Sequence, residues 1–231
     1  MKPLFYTFVI SFLLLITYVF YCWVTLPDIS KAVERTRLPA TTIITEDGKE
    51  ISSYGGVYSD IIYAEDLPDH VIDAIISTED RRFYSHFGFD WQELRKMKSE
   101  YDHFGKKLRG CSTISQQVAK NCFTFGSRTL FRKIIEAYYT ALIELIWGKT
   151  RILEVYMNIA ETGVGIFGVE AACQKYFCTS CDAVDFDDAI ALACVLPKPL
   201  ARTPFIVRIA HSAKVSALSK TVLMKIDKLK D

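Results

Sequence analysis

Between Pro3 and Leu26 the chain carries no charged residue, a run of 24 positions that includes FVISFLLLITYVFYCWV. That exceeds the roughly 20 apolar residues a helix needs to cross a bilayer. Tyr18, Tyr21 and Trp23 gather at its far end, where aromatic rings favour the membrane–water interface. A cleaved leader usually has a shorter apolar region and a small-x-small site, and none precedes Pro27. The expected organisation is therefore an uncleaved transmembrane anchor over 3–26, a linker and β-hairpin region over 27–66, and a folded domain over 67–231. Flanking charge orients such an anchor weakly. Lys2 precedes it while Lys31, Arg35 and Arg37 follow it, which by itself favours a cytoplasmic body.

With 231 residues, the chain is long enough for one domain with a proper core beside the anchor. A formal charge of +1 and a pI near 7.5 make no global case for nucleic acid. ATTIIT and EISSY flank Glu46-Asp47-Gly48-Lys49, and Asp-Gly between β-prone runs signals a hairpin. Leu67-Pro68-Asp69 opens a helix, with Pro68 at its first turn.

That helix leads into STEDRRFYSHFGFD (77–90). Counting from Ile72, Ile75 and Ile76 lie at i+3 and i+4, Phe83 at i+11, and Glu79 at i+7 within the same apolar stripe. A carboxylate on the core side of a helix is desolvated, which raises its pKa and suits a general base working near neutral pH. Arg81 and Arg82 offer the blander alternative, a solvated ion pair.

Three further helical stretches follow. WQELRKMKSEYDHFGKKLRG (91–110) holds six Lys or Arg against three acidic residues. It reads either as an ordinary solvated helix with snorkelling lysines or as a surface for lipid headgroups. In GCSTISQQVAKN (110–121), Ser112 or Thr113 can cap a helix, with Gln116 closing a capping box. Gln116 and Gln117 with Lys120 and Arg128 also form a polar set, since amides suit sugar hydroxyls and fixed cations suit phosphate. From Arg132 a long helix runs to about Trp147, with an apolar arc of Ile134, Ile135, Tyr138, Ala141, Leu142 and Leu145. Glu136 lies just off that arc, with Arg132 at i−4 and Lys133 at i−3; such pairs are worth only about 0.3–0.5 kcal/mol.

Two nucleotide-site motifs are set aside. Gly163-Val-Gly165-Ile-Phe-Gly168 matches G-x-G-x-x-G, but no βαβ alternation follows it, and Ile152, Val155, Tyr156 and Ile159 before it share a helical face. Gly148-Lys149-Thr150 resembles the end of a P-loop, yet Ile143 stands where that motif requires Gly. DDAIALACVLPKP reads as a small-residue helix stopped by Pro197 and Pro199, and Ile206 to Lys230 as a final amphipathic helix. Seven cysteines show no metal-ligand spacing; Cys178 and Cys181 form a single CxxC, either a local disulfide or two thiols. No Ser-x-x-Lys occurs, so no penicillin-binding transpeptidase domain is expected.

Taken in series, these stretches resemble the peptidoglycan glycosyltransferases of glycosyltransferase family 51, and most of all its monofunctional biosynthetic transglycosylases. EDRRFYSHFGFD (79–90) looks like that family's first motif, GCSTISQQVAKN (110–121) its second and RKIIE (132–136) its third. RILEVYMNIAETGVGIFGVEAACQKYF (151–177) covers the fourth and fifth, so the likeness runs in unbroken order from about Leu67 to Pro199. The resemblance implies a mainly α, lysozyme-like domain with a small β-hairpin region, on the outer face of the bacterial cytoplasmic membrane behind one transmembrane helix. It implies an inverting transfer that polymerises lipid II, the undecaprenyl-pyrophosphate-linked disaccharide-pentapeptide, into glycan strands. It makes Glu79 the general base for the acceptor 4-hydroxyl and Glu136 the second catalytic carboxylate, near the donor pyrophosphate. Lys120, Arg128, Arg132 and Lys133 match its phosphate-binding cations, and Ser112, Thr113, Gln116 and Gln117 its polar substrate contacts. No cofactor is required by it; Mg²⁺ or another divalent cation bridging Glu136 is the one metal role expected. Proteins of cell-wall synthesis and division are the expected protein partners. Cys111 departs from the Gly or Ala usual there. Because the glycan is built outside, the resemblance places Lys2 in the cytoplasm against the weak charge rule. A lytic muramidase-like enzyme and a non-catalytic membrane scaffold are the alternatives.

Overall fold

The structure is a computed structural model that describes residues 2–34, 36–37, 41–44, 50–54, 56–104, 110–124 and 129–205. Arg128, the hairpin tip at 45–49 and the amphipathic stretch expected over 206–230 lie outside the described residues.

Helix α1 spans Lys2–Thr25 and is followed by the short α2, Ile29–Glu34. Taken over the described residues, no helix is long and apolar enough to cross a membrane, so the anchor at 3–26 rests on the sequence. Strands β1 (Thr41–Ile44) and β2 (Glu50–Tyr54) pair antiparallel, with Thr41 opposite Tyr54. This is the hairpin expected around Asp47-Gly48.

The body is helical: α3 (Asp69–Glu79), α4 (Trp91–Phe104), α5 (Ile114–Phe123), α6 (Leu130–Ile146), α7 (Gly148–Ile159), α8 (Val169–Phe177) and α9 (Phe186–Ala193). Pro68 stands at the N-cap of α3, as its fixed φ favours. Thr113 caps α5 by accepting from Gln116 N, and the Gln116 side chain accepts in turn from Thr113 N at 3.0 Å. The core gathers Ile75 and Ile76 from α3, Ile114 and Val118 from α5, and Ile152 and Met157 from α7, with Phe83 and Ile190. α5 packs on α6 and α7, and α3 on α9. Asn158 secures the segment before α3 to α7: it accepts from Ile62 N at 3.0 Å and donates to Ile62 O at 2.8 Å.

Residues 161–168 settle the glycine-rich match. Strands β3 (Glu161–Gly163) and β4 (Ile166–Phe167) close a tight antiparallel hairpin, turned at Gly165 with φ +70°. The backbone of Val57 bonds to both sides of that turn, to Gly165 O at 2.7 Å and from Phe167 N at 2.9 Å. The glycines serve a turn, not a nucleotide.

Two features lie beyond what local spacing shows. The apolar arc of α6 faces mostly outward: Ile134 and Leu145 are each 59% exposed and Tyr138 and Ala141 are exposed too, while Ile135 is half-buried and Leu142 buried; Leu130, at the start of the helix, is 81% exposed. Glu136, Thr140, Leu142, Ile143 and Glu144 turn inward instead. Local periodicity defines an apolar face, but here buried polar partners fix the rotation: Glu144 accepts from Ser115 Oγ at 2.5 Å and from Lys149 Nζ at 2.6 Å. Of the two readings left open for Cys178 and Cys181, the local disulfide between them is not formed. Cys173, one of the buried residues of α8, pairs with Cys181 across a Cα–Cα distance of 5.5 Å. Cys178 caps α8 in a left-handed conformation and stays an exposed thiol. That turn carries its side chain to the surface, while Glu170 draws Cys181 to α8 by accepting from its N–H at 2.8 Å.

Candidate active site

The site forms where α3 ends. Asp80, the C-cap of α3, is buried; its carboxylate accepts from Ile114 N, the first residue of α5, at 3.1 Å. The same carboxylate meets His86 Nε2 at 3.0 and 3.1 Å. One side chain thus joins the end of α3, the start of α5 and the loop between α3 and α4.

That junction places Glu79 one turn along α5 from its cap, where Gln117 Nε2 donates to Glu79 Oε2 at 2.6 Å. Tyr156 of α7, 2% exposed, hydrogen-bonds the same carboxylate. Burial is the largest influence on Glu79 and raises its pKa above the ordinary value. The bonds from Gln117 and Tyr156 pull it back, and the Asp80 charge raises it again. The Tyr156 hydroxyl is pushed well up, chiefly by burial and then by Glu79, so it remains a proton donor. Glu79 is therefore a desolvated carboxylate aimed by the Gln117 amide, with the Tyr156 hydroxyl beside it.

The loop that follows is built to hold this end of α3. Phe83 is fully buried, with Lys149 Nζ 4.5 Å from its ring centroid. Arg82 grips Asp90, with Nε donating to Oδ2 at 2.9 Å and Nη2 to Oδ1. This pairing holds the Asp90 carboxyl below its ordinary pKa, and Asp90 also accepts from Glu93 N at 2.7 Å at the start of α4. Gly88 has φ +74°, and a Cβ there would stand 2.7 Å from Thr140 Cγ2. Its carbonyl accepts from Thr113 Oγ1 at 2.6 Å.

Two cavities adjoin the carboxylate. The first, about 560 Å³, is lined by Glu79 and Asp80 with Arg81, Ser112 and Thr113. The second, about 950 Å³, is lined by Gln117 and Tyr156, the two partners of Glu79, and by Lys120 and Arg132. Of the residues singled out from the sequence, Glu79, Ser112 and Thr113 thus share one cavity and Gln117, Lys120 and Arg132 the other. Gln116 is committed to the capping box. Glu136 is 3% exposed and ion-paired to Lys133, with Arg132 Nη1 3.9 Å away. Glu136 and Lys133 do not line either cavity.

Sequence reasoning passed over Asp80, His86 and Tyr156. The signal for Tyr156 was present: a tyrosine in the apolar stripe of a buried helix needs a partner for its hydroxyl. Asp80, next to Glu79, was hidden by it. Asp80, His86 and Asp90 lie close enough to share an ion, but Arg82 and backbone N–H groups already occupy the two carboxylates.

Together these features define a helical domain built around a desolvated carboxylate between two cavities. The chain belongs to the transglycosylase family, whose model, described as Transglycosylase, matches residues 47–227. Three curated relatives carry the name biosynthetic peptidoglycan transglycosylase. That of Shewanella denitrificans is 46% identical over 140 residues, 61% of this chain and 61% of the relative. That of Shewanella frigidimarina is 41% identical over 166 residues, 72% and 70%. That of Marinomonas sp. is 47% identical over 143 residues, 62% and 63%. The chain thus spans about three fifths of the length of the Shewanella denitrificans and Marinomonas relatives and 70% of the Shewanella frigidimarina relative.

Proposed function

We propose that the chain is a peptidoglycan glycosyltransferase that polymerises lipid II with release of undecaprenyl pyrophosphate. The observation that carries this reading is the position of Glu79, lining one cavity while its hydrogen-bond partner Gln117 and the neighbouring Tyr156 line the other. A transfer between two sugars needs a base at their meeting point, with acceptor and donor on either side. Glu79 takes the proton of the acceptor 4-hydroxyl as that oxygen bonds to the donor's anomeric carbon. The bond from that carbon to the diphosphate breaks, and the configuration inverts.

Diphosphate is a good leaving group, so its departure needs neutralised charge more than a proton. Lys120 and Arg132 in the second cavity support that role, and Arg128 belongs to the same set by sequence. Glu136 holds Lys133 and Arg132 in place, which is how a second carboxylate contributes without touching the reacting atoms. The donor set around Glu136 suits these side-chain cations better than a metal: Oε1 is taken by Lys133 and Oε2 faces Arg132. A divalent cation held there by Glu136 would supply the same neutralisation.

A substrate with a polyprenyl tail is met at a membrane. Residues 3–26 form the anchor in this reading, with Lys2 in the cytoplasm and the body on the outer face of the cytoplasmic membrane. The outward apolar face of α6 supports it. The residues that close α1 and α6, Trp23 and Leu26 with Ile146 and Trp147, border one cavity, so the anchor's exit lies beside that face. Partner proteins of cell-wall synthesis and division fit the same location.

The test is incubation of the detergent-solubilised full chain with labelled lipid II, wild type beside Glu79→Gln. Polymer from the wild type alone supports the reading. Polymer from neither, or fragments released from preformed glycan, overturns it in favour of a scaffold or a lytic enzyme.

A further inference from the structure

The second cavity holds more positive charge than a diphosphate needs. Besides Lys120 and Arg132 it is lined by Arg37, which follows α2, and by Lys198, in the turn after α9; among the described residues Glu161 is the one carboxylate of its lining. These two cations come from different walls of the cavity than α5 and α6, and neither belongs to the motifs that carry the phosphate set.

Arg37 is held in place. Its Nη2 donates to Ser59 O at 2.9 Å, and its guanidinium stands 5.3 Å from the Tyr58 ring centroid. Tyr58 stacks on Phe167 with centroids 5.3 Å apart and planes 14° from parallel, and Phe167 lines the cavity. The Val57 bonds to the β3–β4 hairpin fix the base of that stack. Among the described residues no carboxylate ion-pairs with Arg37 or Lys198. A guanidinium whose position is set by an aromatic stack and a backbone carbonyl, with its charge unanswered, is prepared for an anion from outside the chain.

Resting on the glycosyltransferase reading, we infer that Arg37 and Lys198 bind the carboxylate of the donor's stem peptide. The donor presents two kinds of anion: the diphosphate at its reducing end and the carboxylate that ends its pentapeptide. Lys120 and Arg132 serve the first. The pair on the other walls serves the second, so the cavity selects donors with a free peptide terminus.

The experiment measures binding of two fluorescent lipid II samples, one with the free peptide carboxylate and one with that carboxylate amidated. The host is the full chain carrying Glu79→Gln, so binding is read without turnover, beside Arg37→Gln and Lys198→Gln in the same background. A charge-assisted contact predicts about tenfold weaker binding of the amide to the parent. Each second variant binds the free acid about as weakly as the amide, while its affinity for the amide stays at the parent's value. Equal weakening of both samples assigns these cations to the diphosphate and overturns the inference; so does no change in either. Because Lys198 takes no part in the Tyr58 stack, its variant decides the matter where Arg37→Gln disturbs the fold. Polymerisation by the unmodified chain is scored separately, so failure of the activity and failure of peptide binding are distinct results.

Discussion

Gln117 donates to Glu79 across 2.6 Å, and that bond joins α5 to the last residue of α3. Its neighbour Gln116, rotated about 100° around the same helix, turns back to cap the helix. The two adjacent amides therefore do different work: Gln116 holds the helix start in place and Gln117 aims the carboxylate.

Glu79→Gln keeps the size of the side chain and removes the base. Polymerisation falls by about 10²–10⁴ or more, the range of a lost general base. Stability moves the other way. The folded-state pKa of Glu79 is raised, so its contribution is fully present below the unfolded pKa and is lost as pH rises through the folded pKa. Calorimetry should find the variant at least as stable as wild type at pH 7, with the advantage shrinking in acid. A large loss of stability at pH 7 would contradict the desolvated carboxylate.

The rate should depend on pH through the same group. Glu79 acts as a base only when ionised, so the rate falls on the acid side at a pH above the ordinary glutamate range. The hydrogen bond from Tyr156 lowers the Glu79 pKa, so Tyr156→Phe moves that limb to higher pH. A pH–rate profile of kcat/KM for both proteins checks the direction, and an unmoved limb removes Tyr156 from the site.

Asp80→Ala leaves the Ile114 N–H and His86 without their acceptor in a buried place. Each orphaned polar group costs about 1–3 kcal/mol, read from urea unfolding. Activity should fall further than stability explains, because the end of α3 no longer docks on α5. His86→Ala, which leaves the Ile114 bond intact, should cost less in both.

Gly88→Ala imposes a side chain at φ +74° and drives a Cβ to 2.7 Å from Thr140 Cγ2. The expected cost is about 1–3 kcal/mol. Adding Thr140→Ser, which deletes that methyl, should recover the steric share and leave the conformational share, giving a non-additive double-mutant cycle. Strict additivity would show that the contact is not made.

Alkylation of the native chain should modify Cys178 and spare Cys173 and Cys181 until a reductant is added, as read by mass spectrometry. Cys173→Ser should cost about 2–3 kcal/mol without reductant, a short-loop value, and Cys178→Ser almost nothing. The reverse pattern would favour the Cys178–Cys181 pairing that spacing left open.

Much of the architecture was legible in local chemistry. Pro68 marks the start of α3, Thr113 and Gln116 the start of α5, and the β-prone runs around Asp47-Gly48 the first hairpin. Glu79 stood out because a carboxylate had entered an apolar stripe, and the order of the motifs named the family. The cations were harder to sort. Lys120 and Lys133 look alike in sequence, yet one faces a cavity and the other an internal carboxylate.

What the sequence by itself determined were the features that depend on neighbours a few residues apart: caps, turns, helix lengths and which residues share a face. What only the tertiary structure decided was where each face points. α6 shows why. Its spacing grouped Ile134, Tyr138 and Leu145 correctly, but Ser115 and Lys149, from α5 and α7, draw Glu144 inward and turn those apolar side chains out. Tyr156 reaching Glu79 and Cys173 reaching Cys181 have the same cause. Such contacts are set by how helices pack across long stretches of chain, and periodicity within one helix carries no information about its neighbour.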